Sequence, residues 1–568
     1  MNRRNKIFCC IAVLFIIAFG LRYYKIASAP SGIGVDEASF GYNAYSILQT
    51  GKDERGIKYP LIFEANGDQK LPIYAYSLVP FIKLFGLNNL AVRLPSVIAG
   101  SLMGIILFLL LLELGYKIKL SFVGSFIAIT SPWSLMLSRF GYESNVALLF
   151  FITGIYFSFL AFRKHSIFYA LLGGLFTGVT WYSYIAYRPV SLIILIVFLA
   201  VYHVNRNKIT VVGPTLLISF LILVFPFIFS LLSKQGTARL YQSGYIANIG
   251  AVMSINENRT YCSNQFPKFI CYSSANKLFY YLNKYFSRYI TAVSTSYLFI
   301  TGEKDFTYMN VDDYGLFYSA LIPLYLIGFL SFGYRLINRK SSKVDLILLA
   351  GLIFAPLPSV LAGDPQKVRL TPLFPFIILI LVYGIQLLDD FIKPKIYKKI
   401  YYGLIIFGVT VSTLFFMVNF LSVHTQKYET TYGTYIPKLM SYLNQQDKNT
   451  KIYIRSITEA IGFYAFFNKI DPNVFQKTVK RTKPDAIGFA LPIKLGNIYI
   501  ADKDIYWTYC KTITNNDRAI YVTNEDFRTT LGNAQKIIWS ENGVDTLAFI
   551  YNLNTFDKSK INCDNFQQ

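Results

Sequence analysis

Residues 370–388 read LTPLFPFIILILVYGIQLL, a run with no charged side chain. At about 1.5 Å of rise per residue it makes a helix of roughly 28 Å, close to the thickness of a bilayer's hydrocarbon core. Lys367 and Arg369 stand just before it. Beyond Asp389 and Asp390 it is followed by Lys393, Lys395, Lys398 and Lys399. Working outward, runs of roughly 17 to 25 mostly apolar residues recur, giving about eleven spans in all. They lie near 7–24, 88–112, 120–137, 145–162, 167–184, 189–203, 210–232, 314–337, 345–362, 370–388 and 401–422. With 54% hydrophobic, 17% aromatic and 15% charged residues over 568 positions, the chain is not built as a water-soluble enzyme.

Positive charge resists translocation, so Lys and Arg in short joints mark the cytoplasmic side. Arg3, Arg4 and Lys6 put the N-terminus there, and every second joint agrees: Lys117 and Lys119; Arg163 and Lys164; Arg206 and Lys208; Arg335, Arg339, Lys340 and Lys343; then the lysines at 393–399. Arg139, Arg188, Lys367 and Arg369 are exceptions, cations on the outer side that topology does not require. An odd number of spans places residues 424–568 outside, with outer loops over 27–87 and 233–312. The formal charge of +24 is thus mainly a topology signal, spread over joints rather than gathered on a basic face, which argues against nucleic acid as a partner. Ala27-Ser28-Ala29 imitates a signal-cleavage site, but Arg22 and Lys25 interrupt the approach to it, and an uncleaved first span is expected.

Cys9 and Cys10 read as apolar filler of the first span. Cys262 and Cys271 share one outer segment, and Cys510 and Cys563 share another, so each couple is expected to pair where disulfides persist. After Asp36 and Glu37, the spacing of Phe40, Ala44, Ile47 and Leu48 predicts a short amphipathic helix on the outer membrane face. Leu71 to Phe85 makes a second such stretch. The C-terminal segment alternates β-prone runs (451–454, 498–500, 520–522, 537–539, 547–551) with helical patterns near 435–445 and 458–467, which predicts a small α/β domain. The expected architecture is an α-helical polytopic membrane protein: a transmembrane domain over 1–423 and an extracytoplasmic α/β domain over 424–568, in the plasma membrane.

Glycine-rich phosphate loops, zinc-type Cys/His spacings and a Ser/His/Asp set are absent, and His165, His203 and His424 flank spans without converging. The chemistry must then rest on carboxylates, cations and tyrosines at the outer ends of the spans. Asp36 opens the proposed helix, where free N–H groups and the dipole favour a negative charge; capping that helix is the simpler role for it.

Gly34-Val35-Asp36-Glu37-Ala38, then Asp68-Gln69-Lys70-Leu71-Pro72-Ile73-Tyr74, then Arg93-Leu94-Pro95-Ser96, resemble the N-terminal region of membrane glycosyltransferases that use a polyprenyl-phosphate sugar. This is the GT-C superfamily, which includes protein O-mannosyltransferases and the aminoarabinose transferases of lipid A. Ser131-Pro132-Trp133 and Ser138-Arg139-Phe140-Gly141-Tyr142-Glu143 look like its Ser-Arg segment ending in an acid. Tyr182, Tyr184 and Arg188 resemble another family cluster. Asp364 to Arg369, before Leu370-Thr371-Pro372, resembles the late segment in which a basic residue precedes a proline-marked span. The chain departs from the aminoarabinose branch at Gln69, Leu71 and Glu143, where that branch has Glu, Pro and Asp.

The resemblance implies inverting transfer of a sugar from a polyprenyl-phosphate donor to a glycan, lipid or protein acceptor on the outer face, with no metal and no cofactor besides that donor. By the family pattern Asp36, Glu37 and Glu143 are catalytic, Asp36 as general base. Lys70, Arg139, Lys367 and Arg369 are expected at the donor phosphate. Tyr74, Tyr182, Tyr184 and Arg188 are expected at the substrate. A transporter or flippase is the rival reading, but the span interiors are nearly free of charge and no repeat is visible.

Overall fold

A computed structural model describes residues 2–65, 67–203, 211–231, 249–455, 457, 459–485, 489–540, 543–556, 561 and 563. A helix stands at each predicted span. Seven are long and apolar enough to cross a membrane, and an eighth is broken: Ile118–Thr130 and Pro132–Arg139 meet at a 52° bend. That break falls where Pro132 removes a backbone donor. The three remaining spans, Ile167–Tyr182, Tyr187–Tyr202 and Val212–Ile228, are apolar but shorter. Arg206 and Lys208, and residues 233–248 of the second outer loop, lie outside the described residues. The chain divides into two compact units: 1–22, 98–138 and 142–416 form one, and 23–97, 139–141 and 417–568 the other.

The first unit holds most of the membrane-spanning segments. Its helices meet through small residues, as lipid-embedded helices do when no water drives them together. Gly328, on the helix Ile322–Ile337, faces Gly384, on the helix Phe374–Phe391; a Cβ on Gly328 would collide with Ile380 O, and one on Gly384 with Leu324 O. Trp133 sits fully buried after the bend, edge-on to Phe317 and Phe374 at 5.9 and 5.4 Å, and its Nε1 donates to Lys367 O at 3.0 Å. That bond needs a buried partner for the indole N–H, and it pins the segment carrying Lys367. The expected Cys262–Cys271 disulfide is present here.

In the second unit, the helix Val35–Thr50 begins at the predicted place. It is not a surface helix: residues 37–44 are all buried, the polar Ser39 and Asn43 among them. Asn43 makes this possible by donating to Ser39 O and Glu54 Oε2 and accepting from Glu54 N. Strands β1 (Phe63–Ala65) and β2 (Asp68–Lys70) form an antiparallel hairpin around Gly67, whose φ of 72° suits glycine. Pro72 then opens the helix Pro72–Phe85.

The C-terminal part of this unit is a mixed sheet of seven strands: β3 (Lys451–Ile454), β4 (Lys480–Arg481), β5 (Pro492–Leu495), β6 (Ile498–Ile500), β7 (Ala519–Thr523), β8 (Lys536–Trp539) and β9 (Thr546–Asn552). Their order is β4-β5-β6-β3-β7-β9-β8, with β3 parallel to β6 and β7 at the centre. All five predicted strands are found. Cys510 is bonded to Cys563 as expected. The first outer segment packs on this region: Tyr42 O–H donates to Ile470 O at 3.0 Å, its ring lies 5.0 Å from that of Phe475, and Gln476 Nε2 donates to Asp53 O at 2.8 Å.

Candidate functional site

Asp36 and Glu37 are neighbours in the first turn of one helix, about 100° apart around its axis, and they meet different surroundings. Glu37 turns inward. Its Oε1 accepts from Arg93 Nε at 2.9 Å and Gly141 N at 2.8 Å, and its Oε2 accepts from Gly34 N at 2.9 Å and Arg93 Nη2 at 3.2 Å. Arg93, fully buried, also donates to Ile26 O, Pro30 O and Gly32 O, so all five of its N–H groups are used. Glu37 and Arg93 thereby hold the segment 26–37 against the start of the helix Asn89–Glu113.

Asp36 turns outward, its side chain 54% exposed, and forms an ion pair with Lys70. Lys70 ends β2, with its side chain 8% exposed, and also lies 3.1 Å from Asp68 Oδ2. The hairpin therefore carries an ammonium to the side of the one carboxylate of the Asp-Glu pair that stays accessible. An ionised carboxylate can accept a proton from an acceptor group, and a lysine beside it can bind a phosphate as a point charge.

The other expected residues of this unit are placed differently. Tyr74 is fully buried, donates to Val92 O at 2.8 Å and packs 5.1 Å from the Phe40 ring, so it does not reach the surface. Arg139 is buried as well; it donates to Tyr24 O at 2.9 Å and Ala29 O at 3.1 Å and lies 5.1 Å from the Phe420 ring. These contacts hold backbone.

In the first unit, Glu143 is the first residue of the helix Glu143–Lys164 and is half-buried. Arg139 ends the preceding helix, Pro132–Arg139. Lys367 is 1% exposed, and its backbone N–H lies 3.4 Å from Glu303 Oε2. Glu303, 3% exposed, has an Oε1 with no hydrogen-bond partner among the described residues. Burial pushes the Glu303 carboxyl up and the Lys367 ammonium down, and each charge opposes the other's shift. Arg369 is half-buried, its Nη1 3.5 Å from Ala362 O. Glu303 escapes the sequence reading; its one signal is a short charged run, Glu303-Lys304-Asp305, in an outer segment.

Tyr182 donates to Leu223 O at 2.6 Å, and Arg188 lies 4.2 Å over the Phe227 ring with its Nε 3.3 Å from Trp181 O. Both, with Tyr184, are half-buried. Among the described residues, no group of three or more His, Cys, Asp or Glu side chains is spaced to hold a metal ion.

Residues 69–229 match the model of a family described as dolichyl-phosphate-mannose-protein mannosyltransferase. Among solved structures, ArnT from Cupriavidus metallidurans in the apo state matches with a TM-score of 0.50 and 11% identity, over 96% of this chain and 97% of that one. The Archaeoglobus fulgidus oligosaccharyltransferase in the apo form matches with a TM-score of 0.51 and 13% identity, over 93% of this chain and 70% of that one. No curated protein matches the chain. These likenesses show the fold: the chain carries a GT-C type fold, with a sheet-containing C-terminal region.

Proposed function

We propose that this protein transfers a sugar from a polyprenyl-phosphate donor to a hydroxyl or amine acceptor at the outer face of the plasma membrane. The observation that carries this reading is the pair formed by the exposed Asp36 carboxylate and the Lys70 ammonium, beside a second carboxylate that is fully occupied. The acceptor atom attacks the anomeric carbon, the bond from that carbon to the phosphate oxygen breaks, and polyprenyl phosphate leaves. The acceptor proton passes to Asp36. One displacement inverts the anomeric centre.

A lipid phosphate is already a competent leaving group, so it needs a neighbouring cation more than a general acid. Lys70 serves there, and Lys367 and Arg369 are proposed for the same role by their place in the motif. Glu37 acts as a positioning residue through Arg93 and the amide of Gly141. Glu143, Tyr182, Tyr184 and Arg188 are proposed at the substrate on the resemblance. The N-terminus is assigned to the cytoplasm and the C-terminal sheet to the outside, on charge asymmetry alone. A transporter would not require a solvent-facing carboxylate paired with lysine in its first outer segment.

The test is to incubate the purified protein in lipid discs with radiolabelled polyprenyl-phosphate sugars and a crude acceptor fraction. The reading expects release of polyprenyl phosphate coupled to labelled acceptor. Sugar-lipid that crosses the membrane unchanged contradicts it.

A further inference from the structure

The sequence from Phe266 to Val293 contains four basic residues, Lys268, Lys277, Lys284 and Arg288, and no acidic one. Most of it forms the helix Lys277–Val293, which Asn276 caps through Phe279 N. Leu278, Phe279, Leu282, Phe286 and Ile290 fall along one side of this helix and are 66, 56, 54, 68 and 50% exposed. The basic residues 277, 284 and 288 recur at helical spacing on the opposite side. Five large apolar side chains on one face of a single helix are too many to leave in water without a partner.

The helix is fixed in place. Tyr289 O–H donates to Leu352 O at 2.9 Å, and Arg288 Nε lies 2.9 Å from Asp364 Oδ1. Leu352 belongs to the membrane-spanning helix Lys343–Ala362, and Asp364 lies just past its end. The same span exposes Ile353 and Leu361, at 43 and 46%, so the helix is fixed to an element that itself presents apolar side chains outward. Phe266 and Phe269, 54 and 71% exposed, add two more outward-facing rings on the preceding segment, which the Cys262–Cys271 bond closes. The tyrosines at 280, 281, 285 and 289 suit a layer that is apolar below and polar above.

We propose that the helix Lys277–Val293 lies in the headgroup layer of the bilayer and selects acidic phospholipid, its apolar face turned into the acyl boundary and its lysines against lipid phosphates. Apolar area and basic charge are the two terms that bind such a helix to a membrane. The proposal does not depend on sugar transfer.

The experiment places a tryptophan at Phe286→Trp in the full-length protein, with Ser287→Trp on the polar side as control and Ile290→Trp as a second apolar probe. Each is reconstituted at one copy per disc, in discs of phosphatidylcholine with or without phosphatidylglycerol, the phosphatidylcholine brominated on its acyl chains. Fluorescence is referred to the unsubstituted protein. The expected result is at least twofold stronger quenching at Phe286→Trp and Ile290→Trp than at Ser287→Trp, larger in the acidic discs at low salt. Equal quenching at apolar and polar positions overturns the proposal, and so does quenching indifferent to phosphatidylglycerol. Protection that arises only with several copies per disc also overturns it, in favour of contact with a second copy.

Discussion

Glu37 and Arg93 form an ion pair with Nε to Oε1 at 2.9 Å and side chains 5 and 0% exposed. Its two members lie 56 residues apart in sequence. Removing one partner of a buried pair strands the other charge, which typically costs about 3–5 kcal/mol. Glu37→Gln and Arg93→Ala are therefore expected to lower the thermal midpoint in detergent sharply, with loss of the folded fraction by size exclusion. Asp36→Asn, at a half-exposed position, is expected to leave both unchanged.

Glu54 supplies a pH dependence. It is buried, lies beside Asp53 with Arg481 4.0 Å away, and burial raises its carboxyl from an ordinary 4.5 to about 7. The folded protein then holds a proton that the unfolded chain has released between those two values. The stabilising contribution is complete below 4.5 and is lost as pH rises through 7, by roughly 3–4 kcal/mol at most. Glu54→Gln, which mimics the protonated form, is expected to flatten the fall in thermal midpoint between pH 5 and 8. A wild-type midpoint that rises over that range contradicts the assignment.

Gly384 lies where two membrane helices pack without room for a side chain. Gly384→Val is expected to force the helices Ile322–Ile337 and Phe374–Phe391 apart, since the added carbons meet Leu324 O, which is backbone and cannot turn away. Reduced yield of monodisperse protein is the measurement. Gly408→Val, with open space around the glycine, serves as the control.

The spans were legible because long uncharged runs have one stable environment, and the C-terminal strands because β-branched and aromatic residues cluster in them. Strands Lys480–Arg481 and Pro492–Leu495 were not legible; each is short, charged in part, and formed only by its neighbours in the sheet. The apolar spacing after Asp36 predicts a helix with an exposed polar face. Its Ser39, Asn43 and Ser46 are instead buried, because partners such as Glu54 and Lys52 O come from the following loop. The same limit governs the site. Asp36 and Glu37 look alike in sequence, and what separates them is Arg93, Gly141 and Lys70, brought from elsewhere in the chain. Tyr74 and Arg139 donate to backbone carbonyls that come from distant parts of the chain, which their motifs do not announce.

Lys70 is expected to act on both binding and turnover. A cation at the donor phosphate works in the bound state and in the transition state, so Lys70→Ala is expected to raise KM for the donor and to lower kcat. Lys70→Arg keeps the charge and is expected to recover much of the binding. An unchanged KM would show that Lys70 serves Asp36 alone.

The central claim is that Asp36 takes the acceptor's proton, and the most direct test is single-turnover sugar transfer by Asp36→Asn in lipid discs, with the folded amount and donor binding measured in the same preparation. The substitution keeps size and polarity and removes the charge. The account predicts a fall in rate of about 10² to 10⁴, with donor binding and thermal midpoint retained. Transfer at near the wild-type rate by folded Asp36→Asn would contradict it and leave Asp36 as a helix-terminal carboxylate paired with Lys70.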